Sequence, residues 1–308
     1  MTGKNDYGIR QGKEAGSIME KRISGHTGLL ALIGSPVGHS GSPAMYNYSF
    51  ERLGLDYAYV AFDIKVEEVE SAIAAMKTFK MRGFNVTMPC KIEAAKYMDE
   101  LSPAAQIIGA VNTIVNEDGR LTGHITDGVG FVDNLKDHDV EVKGKKITII
   151  GGGGAATAIY VQCAIDGARE ISIFKRQDAN LMRTLEIVEK VRIHVPACVI
   201  NVYDTADVAK MTEEIQSSDI LVNGTIVGMK PMDDESPVKD ATAFHKDLVV
   251  CDIVYNPIET RLLREAKEAG CKCVGGKGML LWQGVAAFKL FTGKDMPVEE
   301  VKAKFFAE

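Results

Sequence analysis

The chain has 308 residues, of which 46% are hydrophobic and 25% are charged, and its formal net charge is −6. This length suits two domains, and the composition is that of a globular protein rather than a disordered or fibrous one. The acidic balance excludes the basic surface expected of a protein that binds nucleic acid or an anionic membrane. We therefore expect neither nucleic acid nor a membrane among its partners.

Residues 1–24 are polar and charged and lack the apolar stretch of a signal peptide, so we expect a flexible tail there. No apolar run approaches the roughly 18 residues that a membrane-spanning helix needs. The six cysteines are scattered, and Cys271 and Cys273 are too close together for the usual C-x2-C zinc spacing. These features predict a cytoplasmic protein with reduced thiols and no bound metal.

Apolar runs alternate with amphipathic stretches in the first part of the chain, which is typical of α/β folds. Strands are predicted at Gly28–Ile33, Tyr57–Phe62 and Gly83–Val86, and helices at Pro43–Leu53 and Val66–Phe79. The turn Glu117–Arg120 separates two more predicted strands, Val111–Asn116 and Leu121–Ile125, and indicates a hairpin. We expect this first α/β domain to span residues 25–127.

A second set of strands predicts a doubly wound, Rossmann-like sheet over residues 128–277. The six strands are predicted at Lys146–Ile150, Glu170–Phe174, Cys198–Tyr203, Ile220–Val222, Leu248–Ile253 and Lys272–Val274. The helices among them are predicted at Ala155–Ile165, Val208–Gln216 and Glu259–Ala269. Two final helices, Met279–Phe291 and Val298–Phe306, are expected to return to the first domain, so that residues 278–308 belong to it.

A glycine-rich loop follows the first strand of this second set, and it reads Gly151-Gly152-Gly153-Gly154-Ala155-Ala156. Backbone N–H groups in such a loop can approach a pyrophosphate, which the dipole of the following helix also favours. Gly151 is expected to make the tight turn and Gly153 to admit the phosphates, while the alanines allow close contact between helix and strand. The alternative is a purely structural glycine turn.

The next strand ends at Lys175, Arg176 and Asp178, where an adenosine ribose is expected to lie. An acidic residue there favours the ribose diol of NAD, whereas Lys or Arg accepts the 2′-phosphate of NADP. The basic pair could also be solvated surface charges. We predict NAD or NADP as cofactor, with a preference for NAD or use of both.

Polar residues also cluster after strands of the first domain. Ser40 and Ser42 could bind a small polyol or acid, or could cap the helix that begins at Pro43. A protonated Lys91 can donate a proton to a ketone oxygen as negative charge develops, and Asp127, if within hydrogen-bond reach, would hold it in place. The alternative for Lys91 is a surface lysine that opens a helix.

Ordered motifs along the chain resemble those of the shikimate dehydrogenases and the related quinate/shikimate dehydrogenases. They are His39-Ser40-x-Ser42-Pro43, Asn85-Val86-Thr87-Met88-Pro89-x-Lys91, Gly109-Ala110-Val111-Asn112-Thr113, Thr126-Asp127-Gly128, the glycine loop, Asn223-Gly224-Thr225-x-x-Gly228-Met229, Val254-Tyr255-Asn256-Pro257 and Gly278-Met279-Leu280-Leu281-Trp282-Gln283. The resemblance covers the chain from about Gly28 to its end.

The resemblance implies a role for each matching residue. Lys91 and Asp127 would form the catalytic pair, and Ser40 and Ser42 would hold the substrate carboxylate. The ring hydroxyls would be bound by Asn85, Thr87, Asn112, Thr126 and Gln283, with Tyr255 nearby. The nicotinamide side of the cofactor would meet Thr225, Val227, Gly228, Met229, Gly278, Met279 and Leu280.

The implied activity is the reversible reduction of 3-dehydroshikimate to shikimate, in aromatic amino acid biosynthesis, with quinate as a candidate second substrate. Strict NADP-dependent relatives carry a second Arg where this chain has Asn180, so the ribose region is closer to the quinate/shikimate branch. Two alternatives stay open, a non-catalytic ligand sensor and a dehydrogenase for another cyclic hydroxy-acid. We expect a monomer or a homodimer.

Overall fold

The computed structural model describes residues 23–307, so the predicted tail at residues 1–24 lies outside the described residues except for Ile23 and Ser24. The chain forms two six-stranded sheets flanked by helices, which confirms the predicted α/β class. Within the described range, no helix is both long enough and apolar enough to cross a membrane.

The first sheet is mixed. Its strands are β1 (Gly28–Gly34), β2 (Tyr57–Asp63), β3 (Gly83–Val86), β4 (Glu100–Leu101), β5 (Thr113–Glu117) and β6 (Arg120–His124). They lie in the order β2-β1-β3-β5-β6-β4, with β1 parallel to β2 and β3, and with β5 antiparallel to both of its neighbours. The predicted hairpin is β5–β6, where Asp118 and Gly119 have φ angles of 52° and 92°. Positive φ at both central residues matches the twist of the two strands.

Five helices accompany this sheet. They are α1 (Ser42–Leu53), α2 (Val69–Thr78), α3 (Lys91–Ala95), α4 (Pro103–Ile108) and α5 (Asp127–Lys136), and a short 3-10 turn, Val66–Glu68, precedes α2. The sequence analysis did not predict α3, α4 or α5. The first two have five and six residues and are therefore too short for a helical period to show. Ser102 caps α4 by accepting a hydrogen bond from the Ala105 N–H, and Pro103 occupies its first turn.

The second sheet is entirely parallel. Its strands are β7 (Lys146–Ile150), β8 (Glu170–Lys175), β9 (Val199–Asp204), β10 (Ile220–Asn223), β11 (Val249–Asp252) and β12 (Lys272–Val274). They lie in the order β12-β11-β10-β7-β8-β9, and the direction of winding reverses between β7 and β10. This is the strand order of dinucleotide-binding sheets, which bind their ligand at the reversal. The predicted doubly wound sheet is thus confirmed.

Four helices connect these strands, namely α6 (Gly154–Ile165), α7 (Leu181–His194), α8 (Val208–Gln216) and α9 (Arg261–Glu268). Only α7 was not predicted. The connection from β10 to β11 contains a 3-10 turn, Ala241–Ala243, and no α-helix. This connection forms part of a cavity wall described below.

The last two helices, α10 (Lys277–Thr292) and α11 (Val298–Phe305), return to the first sheet as predicted. Phe288 and Phe291 of α10 are buried in one apolar cluster with Tyr46 and Phe50 of α1. A larger apolar core continues from the first sheet to the second through α4, α5 and α6. We propose that the division into domains runs at residues 127/128 and 277/278, within the first turns of α5 and α10.

Candidate active site

Two cavities lie where strand ends and loops meet. The polar cavity, of about 470 Å³, lies beside the first sheet and is lined by residues that follow β1 and β3 and by the first residue of α5. The glycine-loop cavity, of about 640 Å³, lies at the carboxyl ends of β7, β8 and β10. Because parallel strands bring their carboxyl ends to one edge, residues distant in sequence converge at each cavity.

Lys91 and Asp127 form an ion pair at the wall of the polar cavity. Lys91 is the first residue of α3 and Asp127 is the first residue of α5. The Lys91 Nζ atom lies 2.6 Å from Asp127 Oδ2, and the two side chains are 27% and 18% exposed. The expected contact is therefore present, and the ammonium group is open to a ligand while its carboxylate partner is mostly covered.

Asn112 fixes the carboxylate of this pair. Its Nδ2 atom donates to Asp127 Oδ1 at 3.1 Å and to Thr126 Oγ1 at 3.0 Å, and its Oδ1 atom accepts from the Thr126 N–H at 2.8 Å. Both oxygens of Asp127 are thus bound, one by Asn112 and one by Lys91. A side chain held by several hydrogen bonds keeps its orientation when ligand binds.

The side chain of Asn85 is also fixed by hydrogen bonds with neighbouring side chains. Tyr59 Oη donates to Asn85 Oδ1 at 2.8 Å, and Asn85 Nδ2 donates to Thr113 Oγ1 at 3.0 Å. Burial raises the pKa of Tyr59 well above its ordinary value, so its hydroxyl stays protonated and remains a donor. The sequence analysis did not identify Tyr59, because a tyrosine in a strand gives no sign of what it contacts.

The structure brings most of the predicted substrate residues to one cavity. The polar cavity is lined by Ser40, Ser42, Asn85, Thr87, Lys91, Asn112, Asp127, Tyr255 and Gln283. Thr126 is buried beside Asn112 and is not on the cavity wall. Leu280, predicted for the nicotinamide side, lines this cavity too. Phe305 and Phe306 of the α11 end also line it, and no feature of the sequence pointed to them.

Ser40 and Ser42 lie at the start of α1, but the capping interpretation of Ser42 is wrong. No side chain caps α1, and it is Ser40 Oγ that accepts a hydrogen bond from the Ser42 N–H, at 3.2 Å. Pro43 in the first turn lacks an N–H, so the helix start needs fewer partners. Ser42 lines the cavity, and its hydroxyl has no hydrogen-bond partner among the described residues.

The glycine loop has the geometry expected of an anion site. Gly151 has a φ angle of 119°, and α6 begins at Gly154 without a side-chain cap. A carbon atom added to Gly153 or Gly154 would meet no other atom within 4 Å, so the free N–H groups of this helix start are accessible. Ala156 packs on Gly224, where an added carbon would lie 2.7 Å from the alanine Cβ. The predicted close contact of helix and sheet is therefore present.

The end of this cavity that follows β8, where a ribose was predicted to lie, carries one buried and one exposed cation. Lys175 packs on Gly152 and is 7% exposed, and its Nζ atom lies 2.5 Å from Asp178 Oδ1. The hydrogen bond from Lys175 holds the pKa of Asp178 below its ordinary value, so the carboxylate stays ionised. Arg176 is 83% exposed. Of the two basic residues, only Arg176 is a solvated surface charge.

The loop after β10 is held by a buried carboxylate. Asp252 accepts hydrogen bonds from Asn223 Nδ2 at 2.9 Å and from the Thr260 hydroxyl at 2.6 Å. Asn223 in turn accepts from the N–H and hydroxyl of Thr225 and donates to the Val227 carbonyl. This network, which the sequence analysis missed, shapes the loop that lines the glycine-loop cavity.

Some of the predicted cofactor residues line the glycine-loop cavity, and others do not. Gly151, Gly152, Gly153, Lys175, Arg176, Asp178, Thr225 and Val227 line the glycine-loop cavity. Gly154, Ala155, Gly228, Met229, Gly278 and Met279 line neither this cavity nor the polar one. Over residues 23–307, no group of three or more His, Cys, Asp or Glu side chains is arranged to hold a metal ion.

Comparison with known proteins gives consistent matches. Residues 32–114 match the family model of the shikimate dehydrogenase substrate binding domain, and residues 276–304 match that of the shikimate 5'-dehydrogenase C-terminal domain. A shikimate dehydrogenase (NADP(+)) of Listeria monocytogenes serotype 4b is 46% identical over 286 residues, which are 93% of this chain and 98% of that protein. A quinate/shikimate dehydrogenase of Escherichia coli O17:K52:H18 is 46% identical over 274 residues, with 89% and 95% coverage.

A solved structure extends this similarity to three dimensions. The shikimate 5-dehydrogenase of Listeria monocytogenes in complex with shikimate and NAD superposes with a TM-score of 0.89 at 47% identity. The match covers 92% of this chain and 98% of that one. The similarity therefore includes both sheets and both cavities.

Proposed function

The chain belongs to the shikimate dehydrogenase family, and we therefore propose that it catalyses the reversible, NAD(P)-dependent reduction of 3-dehydroshikimate to shikimate. The observation that carries the proposal is the ion pair between Lys91 Nζ and Asp127 Oδ2, 2.6 Å apart, at the wall of the polar cavity. A ketone reduction needs a hydride donor and a proton donor. The Lys91–Asp127 pair supplies the proton donor. The activities in the names of the relatives support the same reaction.

The residues of the glycine-loop cavity fit a dinucleotide. Gly153 and Gly154 leave open space at the uncapped start of α6, where a pyrophosphate can accept backbone N–H hydrogen bonds. Asp178 presents an ionised carboxylate at the same cavity. When bound, the reduced nicotinamide supplies the hydride that the ring carbonyl carbon receives.

Lys91 moves the proton of the reaction. In the direction of reduction, its Nζ atom donates a proton to the ring oxygen as that oxygen gains negative charge, and the C–O bond becomes that of an alcohol. The positive charge beside the oxygen also stabilises the charge that develops. In the direction of oxidation, the neutral amine accepts the hydroxyl proton. Asp127 orients the amine throughout, because Asn112 fixes its second oxygen.

The rest of the polar cavity would hold the ring. Ser40 and Ser42 are proposed to bind the carboxylate, since their hydroxyls lie at the cavity wall beside the start of α1. Thr87 and Gln283 are proposed to bind ring hydroxyls together with the amide groups of Asn85 and Asn112. Thr126 would act through Asn112, to which it is hydrogen-bonded.

For the cofactor we propose use of both NAD and NADP, with a preference for NAD. An ionised Asp178 can accept hydrogen bonds from the ribose diol and opposes a 2′-phosphate. Lys175 neutralises part of that charge, and the exposed Arg176, whose Nε atom lies 4.0 Å from Asp178 Oδ2, can approach a phosphate. Quinate is proposed as a weaker second substrate. A ligand sensor is disfavoured, because such a protein has no need of the Lys91–Asp127 pair.

Replacing Lys91 tests the proposal. Lys91→Ala is expected to lower kcat for shikimate oxidation by about 10²-fold or more, because the general acid is lost. The dissociation constant for NAD should stay unchanged, since Lys91 lies in the other cavity. Lys96→Ala, which removes a 63% exposed lysine next to the same helix, is the matched control and should retain full activity. A Lys91→Ala variant as active as the control would remove the lysine from the mechanism.

A further inference from the structure

The end of α11 forms an aromatic wall in the polar cavity. Phe305 and Phe306 are half-buried, line the cavity, and pack against the apolar cluster that contains Met45 and Val37. Of the 18 other residues that line the cavity, nine carry hydroxyl, amide or charged groups. A polyol in this cavity would therefore meet hydrogen-bonding groups at some walls and aromatic carbon at the end of α11.

This aromatic wall is held in place by contacts with two other helices. Glu300 of α11 forms an ion pair with Arg52 at 2.6 Å and accepts a hydrogen bond from Tyr48 at 2.9 Å, and both partners belong to α1. Lys302 lies 2.7 Å from Asp137, which follows the last residue of α5. These contacts fix α11, and with it the two phenylalanines, relative to α1 and α5.

The aromatic wall and the serines proposed to hold the carboxylate line one cavity, since Ser40, Ser42, Phe305 and Phe306 all contribute to it. The Phe305 ring packs edge-on against the Tyr48 ring, with centroids 5.6 Å apart, and Tyr48 belongs to the helix that begins at Ser42. A ring acid whose carboxylate is bound by the two serines would therefore share its cavity with the aromatic wall.

We propose that Phe305 and Phe306 are specificity-determining residues that favour shikimate over ring acids with an additional hydroxyl on the carboxylate-bearing carbon, such as quinate. The inference rests on the proposed function. A hydroxyl buried against an aromatic face loses its hydrogen bonds to water and gains none. An apolar pocket discriminates against an added hydroxyl by about 10²-fold.

Alanine variants at the two positions test this inference. Phe305→Ala and Phe306→Ala should each raise the ratio of kcat/KM for quinate to kcat/KM for shikimate by about tenfold or more, since the space admits water that can bind the hydroxyl. The KM for NAD should not change. Phe79→Ala, in which a 70% exposed ring is removed after α2, is the matched control and should leave the ratio unchanged.

The outcomes separate this inference from the proposed function. Activity that falls equally for both substrates, with an unchanged ratio, would overturn the inference and leave the function standing. No turnover of shikimate by the unmodified chain would overturn both. If an alanine variant fails to fold, Phe305→Tyr and Phe306→Tyr keep the ring and add a hydroxyl that can bind the extra hydroxyl of quinate, so the quinate ratio should still rise. An unchanged ratio in both folded tyrosine variants would contradict the inference as well.

Discussion

Lys175 and Asp178 are paired after β8 in the glycine-loop cavity, and we propose that this contact bears on cofactor choice. The pair buries the lysine, whose side chain is 7% exposed, while the aspartate is 34% exposed and faces the cavity. Because the lysine hydrogen bond holds the pKa of the carboxyl below its ordinary value, its negative charge is present at neutral pH. We propose that the acid and the base act as one unit on the ribose.

We expect Asp178→Asn to shift cofactor use toward NADP. The substitution removes the charge that opposes a 2′-phosphate and frees Lys175 to approach it, so the ratio of kcat/KM for NADP to that for NAD should rise roughly tenfold or more. Glu189→Gln, at a 61% exposed position of α7, should leave the ratio unchanged. An Asp178→Asn variant with the wild-type ratio would exclude the carboxylate from cofactor selection.

At the residue scale, the sequence predicted groups that act through their own chemistry. Lys91, Asp127 and Ser40 follow predicted strands, which marked them as candidates, and the structure shows that Lys91 and Asp127 are in contact. Tyr59 and Asp252 could not be identified in this way, because their importance lies in the side chains that they bind in the folded chain. For Ser42 the sequence pattern was misleading. A serine before a proline is typical of a helix cap, but the Ser42 side chain does not cap α1.

At the element scale, α8 is attached to the second sheet by a buried charge cluster. Glu214 of α8 is 4% exposed, and its carboxylate lies 2.8 Å from Lys146 Nζ of β7 and 2.8 Å from Lys210 Nζ. Ser172 of β8 donates to the same carboxylate at 2.7 Å. Burial alone would raise the pKa of Glu214, but the hydrogen bonds from the two lysines and the serine outweigh it and lower the pKa to about 2.

A glutamate whose pKa is lowered on folding contributes stability at pH values above its unfolded pKa, and this contribution is lost as the pH falls toward the folded pKa. We expect Glu214→Gln to lower the free energy of unfolding by about 3 kcal/mol at pH 7. The difference from the wild type should fall below half of that by pH 3. Urea unfolding at pH 7 and at pH 3 measures this difference in the free energy of unfolding. Glu213→Gln, at a neighbouring position that is 69% exposed, is the matched control. A difference that is equal at both pH values would contradict the assignment.

The contact between α5 and α10 depends on a glycine. A carbon atom added to Gly130 of α5 would lie 2.8 Å from the Gln283 Cα atom of α10, closer than unbonded carbons approach. Gly130→Ala must therefore push the two helices apart and move Gln283, which lines the polar cavity.

We expect Gly130→Ala to lower the free energy of unfolding by about 1–3 kcal/mol, as overpacking does, and to raise the KM for shikimate. Thermal unfolding and steady-state kinetics measure the two effects. Gly25→Ala, where an added carbon meets nothing within 4 Å, should change neither. Wild-type stability and KM in Gly130→Ala would show that the helices do not need this approach.

Two helices that the sequence analysis missed have physical explanations. The helix α5 contains Gly128 and Gly130, which weaken a helical pattern and are present because neighbouring backbone lies against them. The helix α7 exposes Met182 and Ile193, at 65% and 67%, so apolar residues occur on more than its buried face. Strands were easier to predict, because the strands of a parallel sheet are continuous apolar runs.

At the scale of the whole molecule, the chain leaves the first sheet through α5 and returns to it through α10, and residues of both helices line the polar cavity. Leu280 and Gln283 of α10 line the polar cavity, and Tyr255 reaches it from the loop after β11. The doubly wound character of the second sheet could be predicted from the alternation of elements. The aromatic wall at the end of α11 could not, because it depends on where the last helix packs.

The central claim is that the two cavities form one dehydrogenase site for a ring alcohol with a carboxylate. The most direct measurement is the initial rate of cofactor reduction by the purified chain, with shikimate and quinate each crossed with NAD and NADP. We predict turnover of shikimate with both cofactors, faster with NAD, and slower turnover of quinate. No turnover in any of the four combinations would contradict the claim and would favour a ligand sensor or a dehydrogenase for another cyclic hydroxy-acid.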